Sequence, residues 1–284
     1  MLGIVFVETP DTLQLNMRFQ VDSILERFKM LDCNIKRTPL PSGVILCPAV
    51  EARQTVVSQE FPYPELTGSL LWVIRCSFLN VKYACNQLCA HMSKWDETHV
   101  SAAIHLTKYI YKSLRDTGLM FRKQQKLDRL SMRIFSDANF AGDSTLKSTS
   151  AFLIVVESVG TLVFLSKQQT TVSKSTMESE YRSASHASQV FEGIVNVLGQ
   201  LGVTVTTPVP IFIDNTATIA AIKTQATSFM LRHLLLDHAY LRELCHRSLI
   251  FPEHIDGTHN PADLGTKLLP AEATERYSRF ILDT

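Results

Sequence analysis

Asp137 in "FSDANFAGD" and Asp214 in "IFIDNTATIAA" each follow a short run rich in Ile and Phe, where a strand hands over to a loop. Glu180 falls into a stripe of Met177, Ala184, Ala187, Phe191 and Leu198 at spacings of three and four. A helix here turns that carboxylate towards a core, with Glu178 about 160° away around the axis. A buried carboxylate is costly unless it is paired or holds a metal, and positions 176 and 184, one turn to either side, are Thr and Ala rather than cations. A fourth acid, Asp263 in "HNPADLGTK", reads as the third residue of a turn that Asn260 caps and Pro261 opens. Singly, each has a plain structural reading: strand-end acids close turns or cap the next helix, and Asp214 and Asn215 both suit the N-cap before "TATIAAI". Together they supply several oxygen ligands of the kind Mg²⁺ prefers, and a pair of such ions can clamp the attacking and leaving oxygens of an in-line phosphodiester displacement.

The elements that must position these acids follow from the hydrophobic period. Segments 130–138, 151–157 and 160–166 are short, rich in Ile, Val and Phe, and separated by turn-sized gaps, so three successive strands are predicted. A long helix is predicted over 176–199, then strand "VPIFID", a short helix from 215, another over 231–246, strand "SLIFPEHI" and a closing helix. The resulting fold class is α/β, a mixed five-stranded sheet flanked by helices, whose sites form at the carboxyl ends of its parallel strands. Upstream, apolar residues at helical spacing over 13–30, 65–93 and 97–115 predict a mainly helical segment. The basic stretch "RKQQKLDR" at 122–129 separates the two, giving domains of 1–125 and 126–284.

The 284 residues suit two domains, and 45% hydrophobic against 19% charged residues supplies a sizeable core. With 28 Lys and Arg against 27 Asp and Glu, the net charge of +1 gives no global field for a nucleic-acid backbone, so any such binding rests on local cations. Six cysteines (Cys33, Cys47, Cys76, Cys85, Cys89, Cys245) are scattered singly through apolar stretches, which suits reduced thiols and an intracellular setting, cytoplasmic or nuclear. "MLGIVFVETP" lacks the basic start of a secretory signal, and "GSLLWVIRCSFLNV" is interrupted by Arg75 and too short to span a bilayer. No membrane partner is expected.

Five stretches, "SDANFAGD", "KSTSAFLIVV", "SKQQTTVSKSTMESEY", "IFIDNTATIAA" and "NPADLGTKLLP", resemble in order and spacing the ribonuclease H domain of copia-type LTR retrotransposon Pol polyproteins. "MLGIVFV", "FKMLDCNIKRTPL", "GSLLWVIRCSFLNVKYACNQLCAHMS" and "HVSAAIHLTKYIYKSL" resemble the segment just upstream, the end of the reverse transcriptase. The resemblance implies a ribonuclease H-like fold and hydrolysis of the RNA strand of an RNA–DNA hybrid by two Mg²⁺ ions, with Mn²⁺ as the substitute. It assigns the metal ligands to Asp137, Glu180, Asp214 and Asp263, and a histidine aiding product departure to His259 in preference to His254. Polar residues bordering the acids, Ser148, Lys167, Gln168, Ser173, Lys174, Ser175 and Asn215, are the implied grip on phosphates and sugars. The partners implied are the hybrid itself and a polymerase-containing Pol chain, because this chain has no Asp-Asp pair with which to polymerise.

Asn139, Phe140, Leu235 and Asp237 depart from the family's usual residues, and "SFLNV" stands where it has an Arg-Pro-Asp turn. These departures support the alternative, an inactive remnant or a co-opted scaffold of the same fold. A zinc reading of Cys85, Cys89 and His91 yields to core packing, since no second ligand pair follows. An integrase wants a glutamate about 35 residues after Asp214, a place neither Glu243 nor Glu253 fills, and Asn139 stands where a proofreading exonuclease needs an acid.

Overall fold

The computed structural model describes residues 3–30, 34, 36–49, 60–125, 128–142, 145–224 and 234–283. Cys33, Asp143 and the expected helix start at 231–233 lie outside these ranges. The chain forms two compact units, Met1–Phe121 with Leu268–Asp283, and Arg122–Lys267. The expected boundary near 125 therefore sits a few residues late, and the closing helix groups with the first unit instead of the second.

In the first unit, strands β1 (Val5–Glu8), β2 (Thr12–Asn16) and β3 (Leu119–Arg122) form a small sheet in that order. Helices α1 (Arg18–Arg27), α2 (Tyr63–Cys76), α3 (Lys82–Cys89) and α4 (Glu97–Tyr109) accompany it. The mainly helical reading is incomplete here, because Leu13 and Leu15 alternate with polar neighbours at the strand period and only Val21, Ile24 and Leu25 bury a helical face. Cys85 is fully buried in α3 with its sulfur 3.9 Å from that of Cys89, as core packing requires. The closing helix Ala271–Asp283 buries Thr274, Tyr277, Ser278, Ile281 and Leu282 along one side, and Asn80 Nδ2 donates to Ser278 Oγ at 2.9 Å.

The second unit is built on a sheet whose strands are β5 (Met132–Asn139), β6 (Thr149–Val156), β7 (Gly160–Gln168), β9 (Val209–Ile213) and β10 (Ile250–His254). Their order is β10-β9-β5-β6-β7. β5, β6 and β7 pair antiparallel, whereas β9 runs parallel to both β5 and β10, so the mixed five-stranded sheet is as expected. A short parallel pair, β4 (Arg129–Leu130) with β8 (Thr204–Val205), escaped the sequence reading because two residues carry no period.

Helix α5 (Thr176–Gln200) crosses β5 and β6, burying Tyr181, Ala184, Ala187 and Phe191 completely against Ile134, Phe152 and Ile154. Each large apolar side chain so buried contributes about 1.5–3 kcal/mol. Small residues let the helix approach closely: the Ser183 hydroxyl lies 2.9 Å from the Asp137 carbonyl and 3.1 Å from that of Ala151. Helices α6 (Thr216–Lys223) and α7 (Leu235–His246) follow β9 and precede β10. A 3₁₀ turn, Pro261–Gly265, then returns to the sheet, where the Asn260 amide donates to the Ser136 carbonyl at 2.9 Å.

Gly265 is what permits that return. A Cβ there would stand 2.5 Å from the Ala151 Cβ and 3.0 Å from Phe164 Cζ, closer than real carbons approach. Gly265→Ala is therefore expected to destabilise the chain by about 1–3 kcal/mol in urea melts. Gly193→Ala, the same change in open space on α5, should instead stabilise by about 0.5–1 kcal/mol through helix propensity.

Candidate active site

Asp137 is central because of strand register. β5 and β9 pair Ile134 with Ile211 and Phe135 with Phe212, and the same offset carried two residues further sets Asp137 beside Asp214. Asp214 stays free for the site because Asn215 takes the N-cap of α6, its Oδ1 accepting from the Thr218 N–H at 2.9 Å. Glu180 enters from the first turns of α5, its Oε1 accepting from the Ala138 N–H at 3.1 Å. One carboxylate oxygen from each of Asp137, Glu180 and Asp214 lies within 4.8 Å of the others.

Asp263 joins from the 3₁₀ turn beside Asp137 but stands outside that trio, with its Oδ2 2.8 Å from the Lys267 ammonium. Asp137 accepts a short hydrogen bond from the Thr266 hydroxyl. Asp137, Glu180 and Asp263 are all buried, at 3%, 2% and 6% exposure. Glu180 Oε2 and Asp263 Oδ1 are also buried without a hydrogen-bond partner, a costly state for a carboxylate that a cation would relieve. An all-oxygen donor set with orphaned buried oxygens fits a hard divalent ion such as Mg²⁺ or Mn²⁺.

Electrostatics follow from this crowding. Burial foremost, then the charge of Asp263, lifts Asp137 to about 6, against the pull of the Thr266 hydroxyl and Lys267. Glu180 rises further, to about 10, through burial and then the charges of Asp137 and Asp214. Asp214 and Asp263 shift upward too, burial again the first cause.

The other expected site residues divide in two. Ser148 accepts from the Ala141 N–H, Ser173 donates to Gln169 Oε1 at 2.6 Å, and Ser175 caps α5 by accepting from the Glu178 N–H. With Asn215, these hold the scaffold. Lys167, Gln168 and Lys174 are exposed. The first two line a polar pocket with Ser150, Gln169, Arg182 and His186, and none of the four acids borders it. His259 is exposed beside Asp256, at 3.9 Å, in a 3₁₀ turn whose Gly257 lies against Asp214, and His254 ends β10 next to Ile213. Glu178 is as buried as Glu180, because it folds back to accept from the Lys174 N–H and pairs with Arg182 at 2.8 Å. Thr266 and Lys267 were missed as neighbours of the acids, and the "GTK" following Asp263 was the only local sign of them.

The sheet order and the acids at its head define a ribonuclease H-like fold. No protein-family model matches the chain. Along 99% of its length it is similar to the retrovirus-related Pol polyprotein from transposon RE2 of Arabidopsis thaliana, at 26% identity over 281 residues. It is likewise similar to that from transposon TNT 1-94 of Nicotiana tabacum, at 24% over 285 residues. The chain spans only 19% and 21% of those polyproteins. Among solved structures it is similar to LC11-RNase H1 in complex with an RNA/DNA hybrid, at 15% identity and a TM-score of 0.38, covering 51% of this chain and 97% of that one. These alignments run along nearly the whole of this chain, and what it is similar to is the copia-type transposon Pol polyprotein.

Raised carboxyl pKa values mean that the folded chain binds more protons than the unfolded one, so stability present below about pH 4 is lost as pH rises through the folded values. In EDTA, thermal melts should accordingly show stability falling between about pH 5 and about pH 8, and added Mg²⁺ should raise the melting temperature more at the higher pH. Glu180→Gln should flatten the metal-free slope; a slope unchanged in that variant contradicts the assignment.

Proposed function

We propose that the second unit is an endonuclease of the ribonuclease H type that hydrolyses the RNA strand of RNA–DNA hybrids at a centre for two divalent ions. The observation that carries this reading is the convergence of Asp137, Glu180 and Asp214, from a strand, a helix and a strand end, within 4.8 Å, the first two buried and Asp214 half-buried. These three, with Asp263, would hold Mg²⁺ or Mn²⁺, which when bound supplies charge stabilisation to the attacking and leaving oxygens of the scissile phosphodiester. The protein's own part is positional: Thr266 orients Asp137, the Ala138 N–H orients Glu180, and the Asn215 cap keeps Asp214 turned to the site.

His259, in the 3₁₀ turn whose Gly257 lies against Asp214, is the histidine that aids product departure, with His254 at the end of β10 the second candidate. Lys167 and Lys174, both exposed on the second unit, are the grip on backbone phosphates, and Gln168 supplies a sugar contact. With a net charge of +1, grip from these residues alone is weak, so a polymerase-containing Pol chain is the natural second partner. The competing reading, a remnant that keeps the fold without cutting, draws on the departures from the copia-type pattern and on the lysine that already occupies Asp263.

A labelled RNA–DNA hybrid incubated with the purified chain and Mg²⁺ should be cut in the RNA strand, and the corresponding RNA duplex should not. Asp137→Asn and Asp214→Asn should each lower the rate at least about a hundredfold. Absence of cleavage at high enzyme, or a rate unchanged in Asp214→Asn, would establish the remnant reading.

A further inference from the structure

Lys267 lies one turn beyond Asp263, and its half-exposed side chain sets the ammonium 2.8 Å from Asp263 Oδ2. The same short segment contains three linked parts. The Thr266 and Lys267 N–H groups donate to the Asp263 carbonyl at 3.1 and 3.2 Å, and the Thr266 hydroxyl donates to Asp137. Acid, cation and the hydroxyl that orients the central carboxylate therefore move as one unit. Asp263 Oδ1 and Glu180 Oε2 remain buried and unpartnered, so the ammonium neutralises one face of the cluster and leaves the other face open.

We infer that Lys267 is the resident counter-ion of this site: it stabilises the carboxylates while no divalent ion is bound, and competes with the ion for Asp263. The inference rests on the metal-centre reading. A cation beside the ligands opposes a second cation by charge, and its occupancy of Asp263 Oδ2 must be given up before that oxygen can serve as a ligand. The half exposure of the side chain, 44%, gives the ammonium somewhere to go, since a lysine stem swings outward with little rearrangement.

Mn²⁺ titration by calorimetry tests this directly. Lys267→Gln should bind Mn²⁺ about tenfold more tightly than the wild type while melting at a lower temperature in EDTA, and Lys267→Arg should stay within about twofold of the wild-type affinity. A folded Lys267→Gln with unchanged or weaker Mn²⁺ affinity overturns the inference, whatever its stability, because a merely structural ion pair alters melting and not metal uptake. Should that variant fail to fold, the wild-type chain still decides: acylation of Lys267, read by mass spectrometry, should accelerate on saturation with Mg²⁺, and an unaltered rate sinks the proposal. A wild-type chain that takes up no Mn²⁺ removes the metal-centre reading and this inference together, an outcome distinct from either of the others.

Discussion

Like charges crowded into a buried space are the constraint around which the second unit is organised. Asp137, Glu180 and Asp214 bring oxygens within 4.8 Å of one another, and at an effective dielectric near 20 each ionised pair at that distance repels by about 3–4 kcal/mol. Such an arrangement cannot assemble itself. It has to be imposed by elements whose own packing is strong enough to hold the carboxylates where they repel. β6, buried along its whole length, and the stripe of α5 that closes over β5 and β6 are those elements. Burial and this crowding raise Asp137 and Glu180, and the charge of Lys267 offsets part of the rise at Asp137.

The residues around the acids are polar, yet they bind the protein to itself. Asn260 ties the 3₁₀ turn to the Ser136 carbonyl, Ser183 bridges from α5 towards the carbonyls of Asp137 and Ala151, and Gln169 donates to Ser150 and to the Ser179 carbonyl. Three of these bonds hold backbone at or next to an acid, through the carbonyls of Ser136, Asp137 and Ser179. Buried hydrogen bonds of this kind contribute about 1 kcal/mol each to stability, but their larger effect here is directional. A carboxylate on a slack backbone would turn away from its like-charged neighbours.

Much of this was legible in the chain because period reports packing. The strand runs and the long helix came out close to their observed limits, and the core-facing Glu180 followed from its place in an apolar stripe. Helical geometry was misleading two residues earlier: Glu178 points elsewhere on the wheel, but a helix N-terminus leaves backbone N–H groups unsatisfied, and Glu178 is buried by folding back to meet one. Ser148, Ser173, Ser175 and Asn215 were read as grips on a substrate, because side-chain type tells what a residue can bond and not with whom. Their partners, Ala141, Gln169, Glu178 and Thr218, lie only a few residues away, and caps and turns compete with ligands for just these side chains. The two histidines were harder to rank from sequence, since β10 runs up to His254 beside the end of β9, while His259 follows in the 3₁₀ turn Gly257–His259.

Asn139 shows how a departure from the family pattern can be absorbed by the structure. Where the copia-type stretch usually has an acid, the Asn139 side-chain amide donates to the Thr266 carbonyl at 3.2 Å. An ionised aspartate only accepts, and would face that carbonyl with charge against dipole. The amide instead fixes the backbone of the residue whose hydroxyl orients Asp137. The substitution thus removes a negative charge from a neighbourhood already overloaded with it and adds a restraint on the central ligand.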